Sequence, residues 1–315
     1  MLTKLAGGYK NKVAKLENEG KTYVAIFFDI GNDDADKLSY IHSLVDPLLK
    51  DSLPVRVNLD FVENPKQNVL IFNYLPGKTI PWDGYTMNHI KLTGMAMSNM
   101  HFLLKDELEE YEDAVKIQTG KVYEMDKYFK DAGVILGMKE KLNIRMNWDF
   151  KKYLELFKDF KTLPSQLLHL DLVRGNLLFA NKEELILENP DIFNGGKNNF
   201  LTIDSSLYLT GILDFEKVAY GPRIFDIART LSFLIVDCKY KKEEKIRKYF
   251  LESGYDKRGK MKLPDLKYLN SLMEYFWLYD FFKFLYYTPY ESLRENEHFV
   301  RTLNELTKRD LILAK

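Results

Sequence analysis

The sequence predicts an α+β protein with a bilobal architecture, in which a small strand-rich N-lobe precedes a larger and mainly helical C-lobe. Residues 21–28 and 68–74 are rich in aromatic and β-branched side chains, a composition that favours strands. Further along the chain, apolar residues recur at helical spacing. Leu75-Pro76-Gly77 is a turn signal between the two patterns. We therefore expect an N-lobe of residues 1–77 and a C-lobe of residues 78–315.

A helix is predicted between the two strands, over residues 33–50. Its apolar residues recur every three or four positions and form one face of the helix: Leu38, Ile41, Leu44, Val45, Leu48 and Leu49. Asp33 and Asp34 are suitable N-terminal caps, and Pro47 is expected to kink the helix or to end it early.

The second part of the chain contains two long helical patterns. Residues 87–110 carry several methionines, which we expect to fill the core rather than to form a ligand surface. Residues 266–287 are dense in aromatic side chains, and most of these rings are expected in the helical core. Some rings are also candidates to line a pocket, because a tyrosine hydroxyl needs a polar partner or water.

The charge balance argues against two classes of partner. Lys+Arg and Asp+Glu each total 46, so the net charge is zero, whereas binding to nucleic acid or to anionic membranes requires a basic excess. No segment approaches the roughly 18 uninterrupted apolar residues of a membrane span. The N-terminus also lacks the apolar stretch of a signal peptide. We expect neither nucleic-acid nor membrane partners, and we expect the cytoplasm as the location.

Cys238 is the only cysteine of the chain, which excludes an internal disulfide and a multi-cysteine zinc site. It lies in the mainly apolar run of residues 231–238. A buried and chemically inert thiol is therefore expected.

The most informative segment of the chain is residues 168–179. His169, Asp171 and Asn176 follow the pattern His-x-Asp-x-x-x-x-Asn, which is the spacing of a phosphotransferase catalytic loop. In such a loop the aspartate orients a hydroxyl and the asparagine holds a magnesium ion. Downstream, Asp214 offers the second metal ligand that this chemistry needs.

Phosphoryl transfer requires positioning and charge neutralisation more than covalent work by the protein. Asp171 is suited to accept or orient the proton of the attacking hydroxyl. Asn176 and Asp214 offer oxygen ligands to Mg²⁺, and each borders an apolar run, which predicts two adjacent strands that present both to one ion. His169 is expected to fix the loop through backbone hydrogen bonds. The alternative interpretation is that Asp171 and Asn176 cap a turn and that Asp214 starts another.

Other segments accompany this loop and carry a family resemblance. They are Asp214-Phe215-Glu216, residues 219–228, Tyr74-Leu75-Pro76-Gly77, Met97-Ser98-Asn99-Met100-His101 and residues 7–13. Together with the 169–176 loop, these segments make nearly the whole chain resemble the aminoglycoside phosphotransferase and choline kinase family. Homoserine kinase, which has the same fold, is a close relative of this family.

The resemblance implies a protein-kinase-like fold that binds Mg²⁺ together with ATP or GTP and passes a phosphate to a small-molecule hydroxyl. Asp171 would be the catalytic base, and Asn176 and Asp214 would be the magnesium ligands. Asp226 would brace the catalytic loop, although a plain helix cap is an almost equally good interpretation. The residues that would bind the nucleotide are Gly8 and Asn11 in the covering loop and Asn73, Tyr74 and Leu75 in the interlobe hinge.

Two departures from the pattern are visible. The third strand of this fold normally carries a lysine or arginine for the nucleotide phosphates, but residues 23–28 are all apolar or aromatic. Either Lys10, Lys12 or Lys21 supplies the charge, or nucleotide binding is weak. Leu170 stands where many protein kinases have arginine, and no Ala-Pro-Glu segment follows the metal ligand. Both absences point away from protein substrates.

Two questions stay open at this level. The empty third strand is compatible with a catalytically silent binding or scaffold protein built on the same fold. The acceptor is also unspecified: residues 230–300 interleave aromatic rings with acids that would suit a cationic or amino-bearing substrate. These acids are Asp237, Glu274, Asp280 and Glu291. We prefer the interpretation that they form a solvated helix face.

Overall fold

The computed structural model of the chain describes residues 2–4, 11–29, 33–63, 65–105, 114–146, 148–193, 198–238 and 240–314. The strands are β1 (Leu2–Lys4), β2 (Lys12–Asn18), β3 (Lys21–Asp29), β4 (Asn58–Glu63), β5 (Gln67–Asn73), β6 (Ile144–Met146), β7 (Ser165–Leu168), β8 (Leu177–Asn181), β9 (Leu201–Thr202), β10 (Leu207–Ile212), β11 (Ala219–Pro222) and β12 (Ile312–Ala314).

The α-helices are α1 (Asp34–Leu49), α2 (Met87–Leu103), α3 (Ala114–Lys130), α4 (Ala132–Leu136), α5 (Phe150–Phe160), α6 (Lys182–Glu188), α7 (Ile224–Asp237), α8 (Glu243–Arg247), α9 (Leu269–Tyr287), α10 (Tyr290–Leu293) and α11 (Glu297–Lys308). Short 3₁₀ turns lie at Trp82–Gly84 and Arg174–Asn176, and π-helical stretches lie at Gly137–Lys141 and Lys248–Asp256. This mixture of strands and helices confirms the predicted α+β class.

The chain forms two compact units. The first contains Met1–Leu104, Asp171–Val218 and Tyr249–Lys262, and the second contains Lys105–Leu170, Ala219–Lys248 and Leu263–Lys315. These units do not coincide with the expected lobes, and the lobe boundary at residue 77 stays a prediction. Strands β8 and β10 belong to the first unit because main-chain bonds tie them to the N-terminal part of the chain, as at Lys78 and Phe179.

The N-terminal segment of the first unit builds a five-stranded antiparallel sheet of order β1-β2-β3-β5-β4. The predicted strands at residues 21–28 and 68–74 are confirmed as β3 and β5. One face of the sheet buries Val24, Phe28 and Leu70 in a cluster that also contains Ala35 of α1. Alternate side chains of β3 therefore face the helix, as a strand with one covered face requires.

The helix predicted at residues 33–50 is confirmed as α1, which ends two residues after Pro47. The expected capping by the Asp33 side chain is absent, because Asp33 has helical backbone angles (φ −68°, ψ −3°) instead of the extended angles of a capping residue. The first unit also contains a three-stranded antiparallel sheet of order β8-β10-β9.

The second unit is mainly helical. Helix α9 lies in its core, and the indole Nε1 of Trp277 donates to the carbonyl of Ser232 on α7 at 2.9 Å. Most aromatic rings of α9 are buried, as predicted, and Cys238 is buried as well. The predicted methionine filler is confirmed in α2 of the first unit, where Met97 and Met100 are fully buried. Within the described ranges, no helix has the length and apolar character needed to cross a membrane.

Candidate active site

The backbone that leads into the predicted catalytic loop is held by one buried carboxylate. Asp226, in the first turn of α7, is fully buried, and its Oδ2 accepts from the His169 amide at 2.9 Å. Its Oδ1 accepts from the Leu170 amide at 2.5 Å. Leu170 has a left-handed backbone (φ +59°), a conformation that persists in a non-glycine residue when its surroundings enforce it. The His169 side chain is completely buried, which places it in the support of the loop.

Asp171 and Asn176 are brought together by a tight turn. The Asp171 carbonyl accepts from the Val173 amide at 2.7 Å, and the Val173 carbonyl accepts from the Asn176 amide at 2.9 Å. The side-chain Nδ2 of Asn176 then donates to the carbonyl of Asp171 at 2.8 Å and to its carboxylate Oδ2 at 3.2 Å. Because both partners are acceptors, the amide nitrogen of Asn176 must point towards Asp171.

Asp214 lies beside Asn176 through strand pairing. Strands β8 and β10 are antiparallel with Ile212 opposite Leu177, and the Leu213 amide donates to the Asn176 carbonyl at 2.9 Å. Asp214 has a left-handed backbone (φ +64°). Its Oδ1 receives only a long contact of 3.5 Å from the Glu216 amide, which leaves the carboxylate weakly engaged within the described structure. The predicted pair of adjacent strands thus presents both predicted ligands at one end.

These two side chains fit a magnesium ion. With its nitrogen engaged by Asp171, Asn176 offers its amide oxygen, and Asp214 adds an anionic oxygen. The described residues contain no cluster of three or more His, Cys, Asp or Glu side chains that would enclose a metal by themselves. Mg²⁺ does not need such a cluster, because it is commonly held by one or two protein oxygens, substrate phosphates and water.

Lys217 is a member of the site that sequence reasoning missed. Its Nζ lies 2.7 Å from Oδ2 of Asp171, and its side chain is half exposed. The chain turns sharply after Asp214, with the Val218 amide donating to the Phe215 carbonyl at 3.1 Å. This turn returns the lysine to the loop. The only signal in the sequence is a lysine three positions after Asp214, and by itself such a lysine is indistinguishable from a solvated one.

The predicted hinge residues have different surroundings. Leu75 makes no main-chain hydrogen bond with a described residue, so its amide and carbonyl are suited to recognise a base. The Tyr74 hydroxyl donates to Glu188 at 2.7 Å, and burial together with this carboxylate raises the pKa of Tyr74 to about 12. The side chain of Asn73 is engaged internally, because its Oδ1 accepts from the Val57 amide at 2.6 Å.

The chain that follows the hinge runs beside the strand that carries Asn176. The Lys78 amide donates to the Phe179 carbonyl at 3.0 Å, and the Phe179 amide donates back to Lys78 at 2.9 Å. Thr210 Oγ1 donates to the Pro76 carbonyl at 2.6 Å. Of the predicted covering loop, Asn11 is a half-buried residue just before β2, and Gly8 lies outside the described residues.

Arg56 is a second basic residue near the site, and no pattern in the sequence indicates it. It is half-buried overall, and its Nε is enclosed without a hydrogen-bond partner. Burial lowers the pKa of Arg56 to about 10, and the nearby charge of Asp214 opposes this shift. Since the pKa stays well above neutral, the guanidinium is positively charged under physiological conditions.

A cavity of about 160 Å³ lies beside Glu216, two residues after Asp214. It is lined by Phe28, Asp34, Lys37, Leu38, Ile41 and Glu216. Ligand pockets usually measure roughly 300–1,000 Å³, so this cavity is too small to hold a nucleotide.

The four acids considered for a cationic substrate are all paired with cations inside the second unit. Asp280 binds the Arg229 guanidinium through two bonds of 2.8 and 3.2 Å, and Asp237 lies 3.8 Å from the Arg301 guanidinium and also contacts His298 at 2.9 Å. The other two pairs are Glu274 with Lys152 at 3.2 Å and Glu291 with Lys141 at 3.7 Å. The preferred interpretation of a solvated helix face is wrong for Asp237 and Asp280, which are buried because internal cations neutralise them.

The chain has the protein-kinase-like fold of small-molecule phosphotransferases. Amicoumacin kinase, solved with AMP-PNP, Ca²⁺ and Ami, superposes with a TM-score of 0.67 at 13% identity, covering 98% of this chain and 88% of that chain. Aminoglycoside phosphotransferase APH(4)-Ia gives a TM-score of 0.56 at 12% identity, covering 96% and 90%.

Spectinomycin phosphotransferase APH(9)-Ia, solved with ADP and spectinomycin, gives a TM-score of 0.50 at 15% identity, covering 96% of this chain and 88% of that chain. No family model and no curated protein sequence matches the chain. The predicted kinase-like fold is confirmed by these structures, and at such low identities the likeness concerns the fold.

Proposed function

We propose that this protein is a small-molecule O-phosphotransferase that moves the γ-phosphate of ATP or GTP to a hydroxyl group. The observation that carries the proposal is the convergence of Asp171, Asn176 and Asp214 at one end of the β8–β10 pair, in a chain with this fold. Residues that merely capped separate turns would not be expected to lie together in this way.

Each residue has a distinct role in this proposal. Asp171 orients the acceptor hydroxyl and accepts its proton, and the Asn176 amide and the Lys217 ammonium hold the carboxylate in place. Asn176 and Asp214 would hold Mg²⁺, which neutralises phosphate charge when bound. Leu75 would receive the base, and the loop that contains Gly8 and Asn11 would cover the phosphates.

The nature of the acceptor is proposed only as a class. Solved structures of this fold contain AMP-PNP or ADP together with hygromycin B or spectinomycin, which supports a nucleotide donor and a small-molecule acceptor. Amino alcohols, amino acids, sugars and aminoglycosides all fit this class. The internal pairing of Asp237 and Asp280 removes the two buried carboxylates that would have favoured a cationic acceptor.

The test is Mg²⁺-dependent ADP or GDP release by the purified chain with a panel of amino alcohols, homoserine, sugars and aminoglycosides. Asp171→Asn is expected to lower kcat for any active acceptor by on the order of a hundredfold or more, because a positioned acid–base group is lost. The matched control is Asp51→Asn, which neutralises an exposed carboxylate of the same unit. Undiminished turnover by Asp171→Asn would refute its role as the base.

The second candidate function is a catalytically silent binding or scaffold protein. It is favoured by the absence of a basic side chain from residues 23–28 of β3. Calorimetric titration of the protein with ATP and GTP, with and without Mg²⁺, separates the two. Failure to bind either nucleotide would favour the silent protein, whereas Mg²⁺-dependent binding supports the phosphotransferase.

A further inference from the structure

Strand β3 lacks the basic side chain that this fold normally directs towards the nucleotide phosphates. Lys12, on the neighbouring strand β2, does not replace it. Lys12 of β2 lies directly opposite Phe27, with its Nζ 5.5 Å from the centre of the Phe27 ring. Directly paired residues share a sheet face, and Val24, Ile26 and Phe28 occupy the other face, which packs against α1. Lys12 is therefore on the face of the sheet that α1 does not cover.

The metal-ligand segment lies on the side of the sheet that α1 covers. His42 of α1 contacts the ring of Phe72 in β5 at 4.9 Å and the ring of Phe215, next to Asp214, at 5.7 Å. Phe72 belongs to the α1-facing cluster of the sheet. Consequently, Lys12 and Asp214 are on opposite sides of the sheet, and Lys12 is excluded as the replacement cation.

Lys15 and Lys21 of this sheet do not fill the position either. Lys15 shares the α1-facing side, but its Nζ pairs with Glu17 at 3.1 Å and lies 5.3 Å from the centre of the Tyr74 ring. Lys21 is exposed at the start of β3, paired with Asn18 next to the β2–β3 turn. Lys10 lies outside the described residues.

The backbone of Arg56 is held close to Asp214. Its own amide donates to the Ile212 carbonyl at 3.0 Å, and the Ile212 amide donates to the Pro54 carbonyl at 2.7 Å. On the hinge side, Asn73 binds the neighbouring residue Val57 through both its amide and its side-chain Oδ1. The backbone of Arg56 is thus fixed between the hinge and the strand that ends beside Asp214.

The guanidinium of Arg56 is not used by the described part of the protein. Its Nε is enclosed without a partner, and the side chain forms no ion pair or hydrogen bond with a described residue. An enclosed donor atom without an acceptor is unfavourable, and arginine presents a planar fork that suits phosphate oxygens. The arrangement calls for an anionic ligand close to Asp214.

We propose that Arg56 replaces the missing lysine of β3 and binds the phosphates of the nucleotide beside the Asp214 metal site. This assignment rests on the proposed function, since it needs a nucleotide donor. It moves the phosphate-binding cation from the third strand to the connection between α1 and β4. The same connection binds both the hinge residue Asn73 and strand β10, so the site for the base and the site for the phosphates share one rigid support.

The test is calorimetric titration of the wild type, Arg56→Met and Lys12→Met with Mg²⁺·AMP-PNP and with adenosine. Arg56→Met should weaken AMP-PNP binding by about 10- to 100-fold, the value of one or two charge-assisted hydrogen bonds, and leave adenosine binding unchanged. Lys12→Met should bind both ligands as the wild type does. Arg56→Lys should recover much of the affinity, because it restores the charge without the fork.

The outcomes separate this assignment from the proposed function. An equal loss of AMP-PNP and adenosine binding in Arg56→Met, or a selective loss in Lys12→Met, would overturn the role of Arg56 while leaving a phosphotransferase in place. A selective loss of AMP-PNP binding in Arg56→Met, together with a wild type that phosphorylates no acceptor, would support the phosphate site and refute only the transfer reaction. A wild type that does not bind AMP-PNP would overturn both.

If Arg56→Met does not fold, Arg56→Gln removes the charge while keeping a polar side chain, and the same selective loss is expected. Thermal unfolding gives an independent readout. AMP-PNP should raise the Tm of the wild type but not that of the Arg56 variants, since stabilisation by a ligand depends on its affinity for the native state. An equal rise in all proteins would contradict the assignment.

Discussion

At the residue scale, the main addition to the predicted site is the ion pair between Lys217 and Asp171. A catalytic carboxylate must keep one orientation towards the acceptor hydroxyl, and a charge-assisted hydrogen bond is an effective restraint. Both Lys217 and Asn176 contact the same oxygen, Oδ2. The pair therefore fixes the rotation of the carboxylate.

Lys217→Met is expected to lower kcat about tenfold with little change in nucleotide affinity, because the Asp171 carboxylate loses its ion pair with the ammonium group. Steady-state kinetics with an active acceptor measures the effect. Lys182→Met, an exposed lysine at the start of α6, is the matched control. A rise in kcat would show instead that Lys217 competes with the acceptor for Asp171.

Asp226 is a residue whose effect should appear first as stability. Its two carboxylate oxygens accept the His169 and Leu170 amides in a fully buried setting. Asp226→Asn would turn one acceptor into a donor facing an amide, and we expect a loss of about 1.5–3 kcal/mol in the free energy of unfolding. Urea unfolding measures the loss. Asp131→Asn should be nearly neutral, since Asn caps the exposed start of α4 equally well.

At the element scale, the turn after the hinge is adapted to a close approach of two main-chain segments. Gly77 has a left-handed backbone (φ +100°), and a Cβ at this position would lie 2.5 Å from Thr210 Oγ1 and 2.9 Å from the Phe179 carbonyl oxygen. Only glycine allows the Pro76–Lys78 segment to lie against β8 and β10. This contact places the hinge next to the strand that leads from Asn176.

Gly77→Ala is expected to destabilise the protein by about 1–3 kcal/mol through steric overlap, in addition to the strain of its backbone angle. Gly20→Ala is the matched control, because Gly20 also has a left-handed backbone (φ +74°) but no atom within 4 Å of an added Cβ. The difference between the two variants in chemical denaturation isolates the steric term. Equal losses would mean that the close approach contributes nothing.

At the scale of the whole molecule, positive and negative side chains are equal in number, and several of them pair inside the protein. In the second unit, buried carboxylates such as Asp237 and Asp280 bind arginine and histidine side chains of neighbouring helices. These pairs hold α7, α9 and α11 together. These buried acids therefore organise the helical unit, and under the proposed function they are not offered to an acceptor.

The two compact units also show why sequence order is a poor guide to domain organisation here. Residues 171–218 follow a long helical region but belong to the same compact unit as residues 1–104. The reason is main-chain pairing: Val55 bridges Ile212, and Lys78 bridges Phe179. Such pairings join positions more than one hundred residues apart, and composition or periodicity carries no trace of them.

Local features were predictable to the extent that they depend on neighbouring residues. The composition of β3 and β5 and the apolar periodicity of α1 were sufficient to predict these elements. The spacing of the 169–176 loop was sufficient to single out Asp171 and Asn176. Asp214 could be added because its apolar flank predicted a strand.

What the sequence by itself determined is the set of local elements and the group of three polar side chains suited to phosphoryl transfer, since both follow from short-range spacing. Only the tertiary structure decided which basic side chains lie beside these three polar side chains. The bridge between Val55 and Ile212 brings Arg56 close to Asp214, and a turn in the backbone brings Lys217 to Asp171. A long flexible side chain has no periodic signature, so the place of its charge is known only once distant backbone segments have paired.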